Sequence, residues 1–284
     1  MGDSTVEFRF VKMHGAGNDF IVIDNRAAGL ALGRNAIRAV CDRRRGVGAD
    51  GVILLEAAEE AAFRMRYYNS DGGEAEMCGN GARCAVFHAA GLGLGEKRGQ
   101  TVRLRFVAGS GVLAGEVDGR KVAISMADAT GFRKDVSVKV AAGEEIVHFV
   151  NTGVPHAVVV VDGARALGDD EIALRGRAIR EHKTFAPDGA NVDFVTPLAG
   201  GEIAIRTYER GVEAETEACG TGAVAAAVVL SHLGLAASPV RLVARGGDVL
   251  AVRFEAEVGG ASGVILEGPT AVTFEGTVRL SGEE

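Results

Sequence analysis

Two cysteines stand at the heads of closely similar stretches. Cys78 opens CGNGARCAVFHAAGLGL (78–94) and Cys219 opens CGTGAVAAAVVLSHLGL (219–235). Laid over one another without gaps they agree at 8 of 17 positions, including both CG-x-G starts and both LGL ends. Each cysteine leads a segment whose pattern predicts a helix that is apolar almost all round, hence buried. A helix N-terminus leaves N–H groups unpaired and carries partial positive charge. It should lower a thiol pKa from its reference of about 8.5 and attract a carboxylate. Gly79, Gly81, Gly220 and Gly222 keep side chains away from those N–H groups. One motif therefore offers an acid/base group and an anion hole together.

Two such motifs suit one reaction above others. If the halves carrying them face one another across a pseudo-twofold axis, both helix heads converge on one cleft. A thiolate can then take the α-proton of an amino acid from one face while a thiol returns a proton to the other. The N–H groups stabilise the charge that develops on the carboxylate. This is the logic of a cofactor-independent racemase or epimerase.

The elements that must position the cysteines repeat as well. KMHGAGNDFIVID (12–24) lies over VNTGVPHAVVVVD (150–162), pairing Gly15 with Gly153, Asn18 with His156 and Asp24 with Asp162. FRMRYYNSDGGEAEMCG parallels IAIRTYERGVEAETEACG with one extra residue in the second copy, which pairs Asn69 with Glu209. Short strand-like runs dominate, among them DFIVID, GVILLE, TVRLRFV, AVVVVD, NVDFV and DVLAVRFEAE. Helices are expected only near 34–44, 79–92, 171–182 and 222–233. The fold class is therefore α+β: two pseudo-symmetric domains, each an antiparallel β-barrel-like shell around a central apolar helix. The expected division is 1–124 plus 271–284, carrying Cys78, and 125–270, carrying Cys219. The tail TAVTFEGTVRL returns to complete the first domain.

Composition excludes several functions. The 284 residues are 47% hydrophobic, enough for a core, and the formal charge of -7 gives no basic footprint for nucleic acid or an anionic membrane. No run approaches the ~18 apolar residues of a membrane helix, and the N-terminus does not read as a signal peptide. The expected location is the cytoplasm. Cys41 and Cys84 read as small core residues. Cys84 and His88 have helical ligand spacing but no partners, so no metal is expected. GVGADG (46–51) matches G-x-G-x-x-G, yet it follows CDRRR and leads into VILLE, so it is no dinucleotide site. Glu209 and Arg210 read either as a solvated pair or as part of the site. A disulfide between Cys78 and Cys219 would be an inactive oxidised form.

KMHGAGNDF, RRRGVGADG, YNSDGGEAEMCGNGARC, PHAVVVVD, NVDFV, YERG and ACGTGA occur in one order along nearly the whole chain. In this the sequence resembles the diaminopimelate epimerase family. The resemblance implies interconversion of LL- and meso-diaminopimelate, which serves lysine and peptidoglycan precursor synthesis. It also implies a mechanism free of pyridoxal phosphate or any other cofactor, a small-molecule partner and a homodimer. Cys78 and Cys219 would be the acid/base pair, with Glu209 and His156 flanking the reacting amine and the thiols. Backbone N–H groups at Gly79, Asn80, Gly220 and Thr221 would hold the reacting carboxylate, and Asn18, Asn69, Asn191 and Arg210 would recognise the rest of the substrate. Three departures touch the distal end: Val154 where the family has an amide, which Asn151 could replace; Gly51 where it has a glutamine-like residue; and the extra residue before Cys219. The rival readings are another two-cysteine racemase of the proline racemase kind, and a non-catalytic amino-acid-binding protein.

Overall fold

The computed structural model describes residues 6–75, 77–140 and 143–280. The chain forms two compact units, one comprising the residues up to Ile124 and from Pro269 onward, the other Ser125–Gly268.

In the first unit β1 (Val6–Gly15), β2 (Asn18–Asp24), β3 (Gly51–Glu56), β4 (Phe63–Asn69), β7 (Thr101–Ala108), β8 (Gly111–Asp118) and β9 (Lys121–Ser125) pair in that order. β18 (Gly260–Leu280) pairs with β9 and, along its far half, with β1, closing a ring of eight strands. Two short strands, β5 (Glu74–Ala75) and β6 (Glu96–Arg98), extend its edges. The tail thus lies along β1 from Thr270 to Leu280, opposite Gly15 to Val6.

The second unit repeats the order with β10 (Thr130–Val140), β11 (Gly143–Asn151), β12 (Pro155–Val160), β13 (Asn191–Pro197), β14 (Ile203–Glu209), β16 (Val240–Val243), β17 (Val249–Glu257) and the near half of β18. A bridge between Ala129 and Ala261 and the Phe132 N–H bond to Gly259 O close this second ring. β15 (Ala214–Thr216) takes the place of β5.

Both rings are largely antiparallel, as the sequence predicts, with two parallel contacts each: β2 with β3 and β4 with β7, then β12 with β13 and β14 with β16. Parallel neighbours need long crossovers. In each unit one of these carries an outer helix, α1 (Arg34–Cys41) or α3 (Asp169–Arg180), and the other carries the inner helix, α2 (Gly79–Gly91) or α4 (Gly220–His232). Helices packed on both sides of these strands explain why Phe20–Ile23 and Val52–Leu55 are buried without alternation. Outside the first ring, Ile37 and Val40 of α1 pack with Ile21, Ile23, Val52 and Leu54. Outside the second, Ile172 and Ile179 of α3 pack with Val159, Val192 and Phe194.

The inner helices are lined with small side chains because a ring of eight strands is ordinarily just wide enough for side chains alone. Ala82, Ala85 and Ala89 of α2, and every residue from Gly222 to Leu230 of α4, are buried. Cys41 on α1 and Cys84 on α2 are buried too, and burial pushes both thiols up to about 12.

A stacked aromatic pair in the first ring gives a test of this core. Phe63 and Phe106 are opposite one another in the parallel β4–β7 contact, fully buried, with ring centroids 5.5 Å apart. Phe106→Ala should cost about 3–5 kcal/mol, read as a lower urea midpoint. A loss below about 1 kcal/mol would mean that the ring closes over the vacated space.

Candidate active site

Each thiol is an N-cap. Cys78 has extended backbone (φ -139°, ψ 114°), and its Sγ accepts the Gly81 N–H at 3.4 Å. Cys219 (φ -115°, ψ 118°) accepts the Gly222 N–H at the same 3.4 Å. Sulfur thus replaces the oxygen that Ser, Thr or Asp usually provides at this position. The capping also sets where α4 begins: at Gly220, two residues before the start that the apolar run predicts. Gly79 and Asn80, and likewise Gly220 and Thr221, are the first two residues of their helices, whose N–H groups an α-helix cannot pair internally.

In the first unit Asn18, Cys78 and Asn80 come together. Asn18 Oδ1 lies 3.7 Å from Cys78 Sγ and accepts from Asn80 Nδ2 at 3.3 Å. Asn18 Nδ2 donates to Asp50 Oδ2 at 2.6 Å, and Arg83 donates to Asn80 Oδ1 at 2.8 Å. Asn69 sits at the exposed end of β4, where its Oδ1 accepts from Tyr67 Oη at 2.7 Å. Gly51 has no room for a side chain: a Cβ there would lie 2.4 Å from Tyr68 O and 2.6 Å from the Tyr67 ring.

In the second unit two groups form. Asn191, buried at the start of β13, ties His156 to Arg210: its Oδ1 accepts the Arg210 N–H at 2.9 Å, while its Nδ2 faces Pro155 O at 3.2 Å and His156 Nε2 at 3.4 Å. The other ring nitrogen, His156 Nδ1, is 2.7 Å from Asp193 Oδ2, and both residues are fully buried. A carboxylate only accepts, so Nδ1 carries the proton and Nε2 is the acceptor. Asp193 Oδ1 accepts from Thr207 Oγ1 at 2.7 Å. That oxygen also fixes Gly222, since a Cβ there would sit 2.4 Å from it.

The second group is Glu209, Thr216, Cys219 and Thr221. Thr216 Oγ1 donates to Glu209 Oε1, Glu209 hydrogen-bonds Cys219, and Thr221 Oγ1 is 3.4 Å from the Cys219 sulfur. Thr152 Oγ1 donates to Thr221 O at 3.3 Å. Asn151, the residue expected to stand in for the missing amide at Val154, spends its Oδ1 on the Gly153 N–H at 2.9 Å. Glu213 lies in the longer approach to Cys219. Its φ is 58°, and its carboxylate is held by Arg180 at 2.7 Å and by the Gly211 N–H at 3.0 Å.

The electrostatics correct one expectation. The helix N-terminus should lower both thiols, yet Cys219 is pushed well above its ordinary value. Burial is the largest cause, followed by the carboxylates of Glu209 and Asp193; Thr221 and the Gly222 N–H oppose them and lose. Glu209 is itself raised by burial, against its hydrogen bonds from Thr216 and Cys219. Cys219 therefore rests as the thiol.

Asp193, Thr207, Thr216, Asp50 and Arg83 are partners that the sequence reading does not single out. Asp193 left a signal in NVDFV: a carboxylate in an otherwise apolar, buried strand needs a dedicated partner. Cys84 and His88 gather no third ligand, since no cluster of three metal-ligating residues occurs among the described residues. Among those residues no helix is long and apolar enough to cross a membrane.

Because Glu209 raises Cys219, Glu209→Gln should move its iodoacetamide alkylation profile to lower pH. The rate is followed on the Cys219 peptide by mass spectrometry and normalised to its high-pH plateau, which separates ionisation from access. An unchanged or upward-shifted profile would remove Glu209 from the control of this thiol.

Comparison with known proteins identifies the family. The profile of the diaminopimelate epimerase family matches residues 10–132 and 148–261, a span that contains every candidate site residue. The diaminopimelate epimerase of Chlorobaculum tepidum is 44% identical over 270 residues, covering 94% of this chain and 100% of the relative. That of Aquifex aeolicus is 42% identical over 289 residues, covering 96% and 98%. Among solved structures, a hydroxyproline epimerase from Agrobacterium vitis aligns with a TM-score of 0.75 at 16% identity, covering 99% of this chain and 95% of that one. A PhzF-family phenazine biosynthesis protein from Bacillus anthracis gives 0.73 at 14%, covering 96% and 99%. At such identities these structures share the fold and no more, whereas the sequence relatives, matching from end to end across both cysteine caps, place the chain in the diaminopimelate epimerase family.

Proposed function

We propose that the protein interconverts LL- and meso-diaminopimelate, with Cys78 and Cys219 as the two acid/base groups. The observation that carries this reading is the pair of sulfur N-caps, each with its Sγ 3.4 Å from an N–H of its own helix. In one direction the α-proton passes from carbon to the sulfur of Cys78, and the thiol proton of Cys219 passes to the opposite face of the same carbon. The reverse direction exchanges the roles. Cys219, held as the thiol, is the acid of the resting enzyme, and Cys78 is the base once its own proton has left. The N–H groups of Gly79, Asn80, Gly220 and Thr221 receive the charge that builds on the carboxylate.

Glu209 flanks the reacting amine in this reading, which the hold of Thr216 and Cys219 on its carboxyl supports. His156 acts through Asn191, which it helps to orient. Asn18, Asn69, Asn191 and Arg210 bind the remainder of the substrate; amides and a guanidinium read a second carboxylate and ammonium with fixed geometry. With Val154 and Gly51 supplying no amide, this end is held by fewer contacts than the family pattern provides. The mechanism asks for no cofactor. The assembly and location proposed on the family resemblance are a homodimer in the cytoplasm.

The test is incubation of the reduced protein with LL-diaminopimelate in heavy water, following meso product and deuterium at the α-carbon. Product carrying deuterium supports the reading. No exchange with both thiols reduced overturns it, and exchange into proline instead would mean a racemase with different substrate recognition. Cys78→Ser and Cys219→Ser should each lower turnover about 100-fold or more, while near-normal turnover in either would end the two-thiol proposal.

A further inference from the structure

Asn18 is an interior link in a chain of hydrogen bonds whose polarity cannot be reversed. At one end stands Arg83, fully buried on α2, which can only donate; its Nη2 is 2.8 Å from Asn80 Oδ1. This fixes the Asn80 amide, leaving Nδ2 to donate to Asn18 Oδ1 at 3.3 Å. At the other end stands Asp50, whose carboxylate oxygens act as acceptors, and its Oδ2 takes Asn18 Nδ2 at 2.6 Å. Asp50 is held in turn: Arg43 Nη2 donates to its Oδ1 at 2.7 Å, and the Asp19 N–H reaches its Oδ2 at 3.2 Å.

The other charged groups around the chain are Lys12 on β1 and Asp19 on β2, which join Arg43 in one cluster. Burial works against charge on Asp19, but hydrogen bonds from Arg43 and then Lys12 outweigh it and hold its carboxyl well below the usual range. Asp19 therefore stays ionised at ordinary pH. An asparagine amide normally has two orientations to choose between. Here a donor-only residue and an acceptor-only residue, 33 positions apart in sequence (83 − 50), leave Asn18 one.

We infer that Asp50 and Arg83 are positioning residues for Cys78, locking the Asn18 amide so that its carbonyl, and never its NH2, faces the sulfur at 3.7 Å. A carbonyl oxygen accepts from S–H and has nothing to offer S⁻, whereas an NH2 group would do the reverse. The lock therefore favours the protonated form of Cys78 between turnovers and makes its thiolate, once formed, a stronger base. It gives a role to Asp50 of GVGADG, a segment with no dinucleotide to bind. The catalytic meaning rests on Cys78 being one of the two acid/base groups; the lock itself does not.

The test reads the thiol directly, by peptide-resolved alkylation of Cys78 across pH, and so does not depend on epimerase activity. Asp50→Ala removes the acceptor. The remaining 3.3 Å bond from Asn80 is weaker than a charge-assisted bond from Asn18 Nδ2 to a thiolate, so the amide turns over as Cys78 ionises. Alkylation at pH 7.5 should rise about fivefold and the profile should move to lower pH. Asp50→Asn removes the same charge but keeps an oxygen for Asn18 Nδ2, and should stay near the parent protein. In an Asn18→Ala background, Asp50→Ala should change nothing further. Equal shifts for Asp50→Ala and Asp50→Asn, or a shift that persists without Asn18, would show a plain charge effect and overturn the lock. No shift in Asp50→Ala would overturn it as well. Each variant is first checked by thermal melting, and Asp50→Ser, whose hydroxyl is too short to reach Asn18, replaces Asp50→Ala if that protein does not fold.

Discussion

A helix enclosed along its flanks by strands cannot pair its first N–H groups with its own backbone, and the rest of each unit is arranged around that requirement. α2 and α4 run inside closed rings of eight strands, where their lateral surface is buried by small side chains against the sheet. Their N-termini cannot be treated in the same way, because apolar packing leaves N–H groups unpaired at a cost of about 1–3 kcal/mol each. A sulfur N-cap on each helix satisfies one of them, at Gly81 and at Gly222. In the proposed mechanism the reactive side chain is thus also a structural one: the feature that ends the helix cleanly holds the thiol where the proposed chemistry uses it.

Magnitudes decide which field governs these thiols. A helix N-terminus is worth about 0.3–1 kcal/mol at the surface and ~2 kcal/mol when partly buried. Burial moves an ionisable group by up to ~3–5 pKa units, at about 1.4 kcal/mol per unit. At Cys219 burial comes first and two carboxylates add to it, so the dipole is outweighed and the proton stays on sulfur. The helix head then matters less for activating the thiol than for receiving a carboxylate, whose charge appears only when a ligand is present.

The features legible in the sequence were those with a local period or a repeat. The two apolar helices, their leading cysteines and the order of blocks in each half needed no knowledge of the partners around them. Strands were missed where alternation was weak. β8 (GVLAGEVD) is interrupted by glycine, and β10 (TGFRKDVSVKV) keeps only Val138 fully buried and otherwise reads as polar. Site residues were missed for a different reason. Asp50, Arg83, Asp193 and Thr207 act only through groups brought beside them by pairing between strands or between strand and helix. No spacing rule links Asp50 to Asn18 across 32 positions or Asp193 to His156 across 37. The helix-head rule also misjudged Cys219, since sequence alone could not reveal how much surrounding structure would cover it.

The two units show how a duplicated frame keeps one device while changing its parts. Asn18 and His156 occupy matching places in the repeat, each at the start of a strand, β2 or β12, that runs parallel to its next neighbour. Each is oriented by an aspartate from that neighbour's side: Asp50, just before β3, and Asp193, within β13. An acceptor-only carboxylate sets the amide of Asn18 in the first case and the tautomer of His156 in the second. Both choices come down to which atom bears the hydrogen that a neighbour will meet, and both are settled by the fold before any ligand arrives. Under the proposed function a ligand would find donors and acceptors already facing one way, which is the condition for a site to stabilise charge without reorganising as the charge develops.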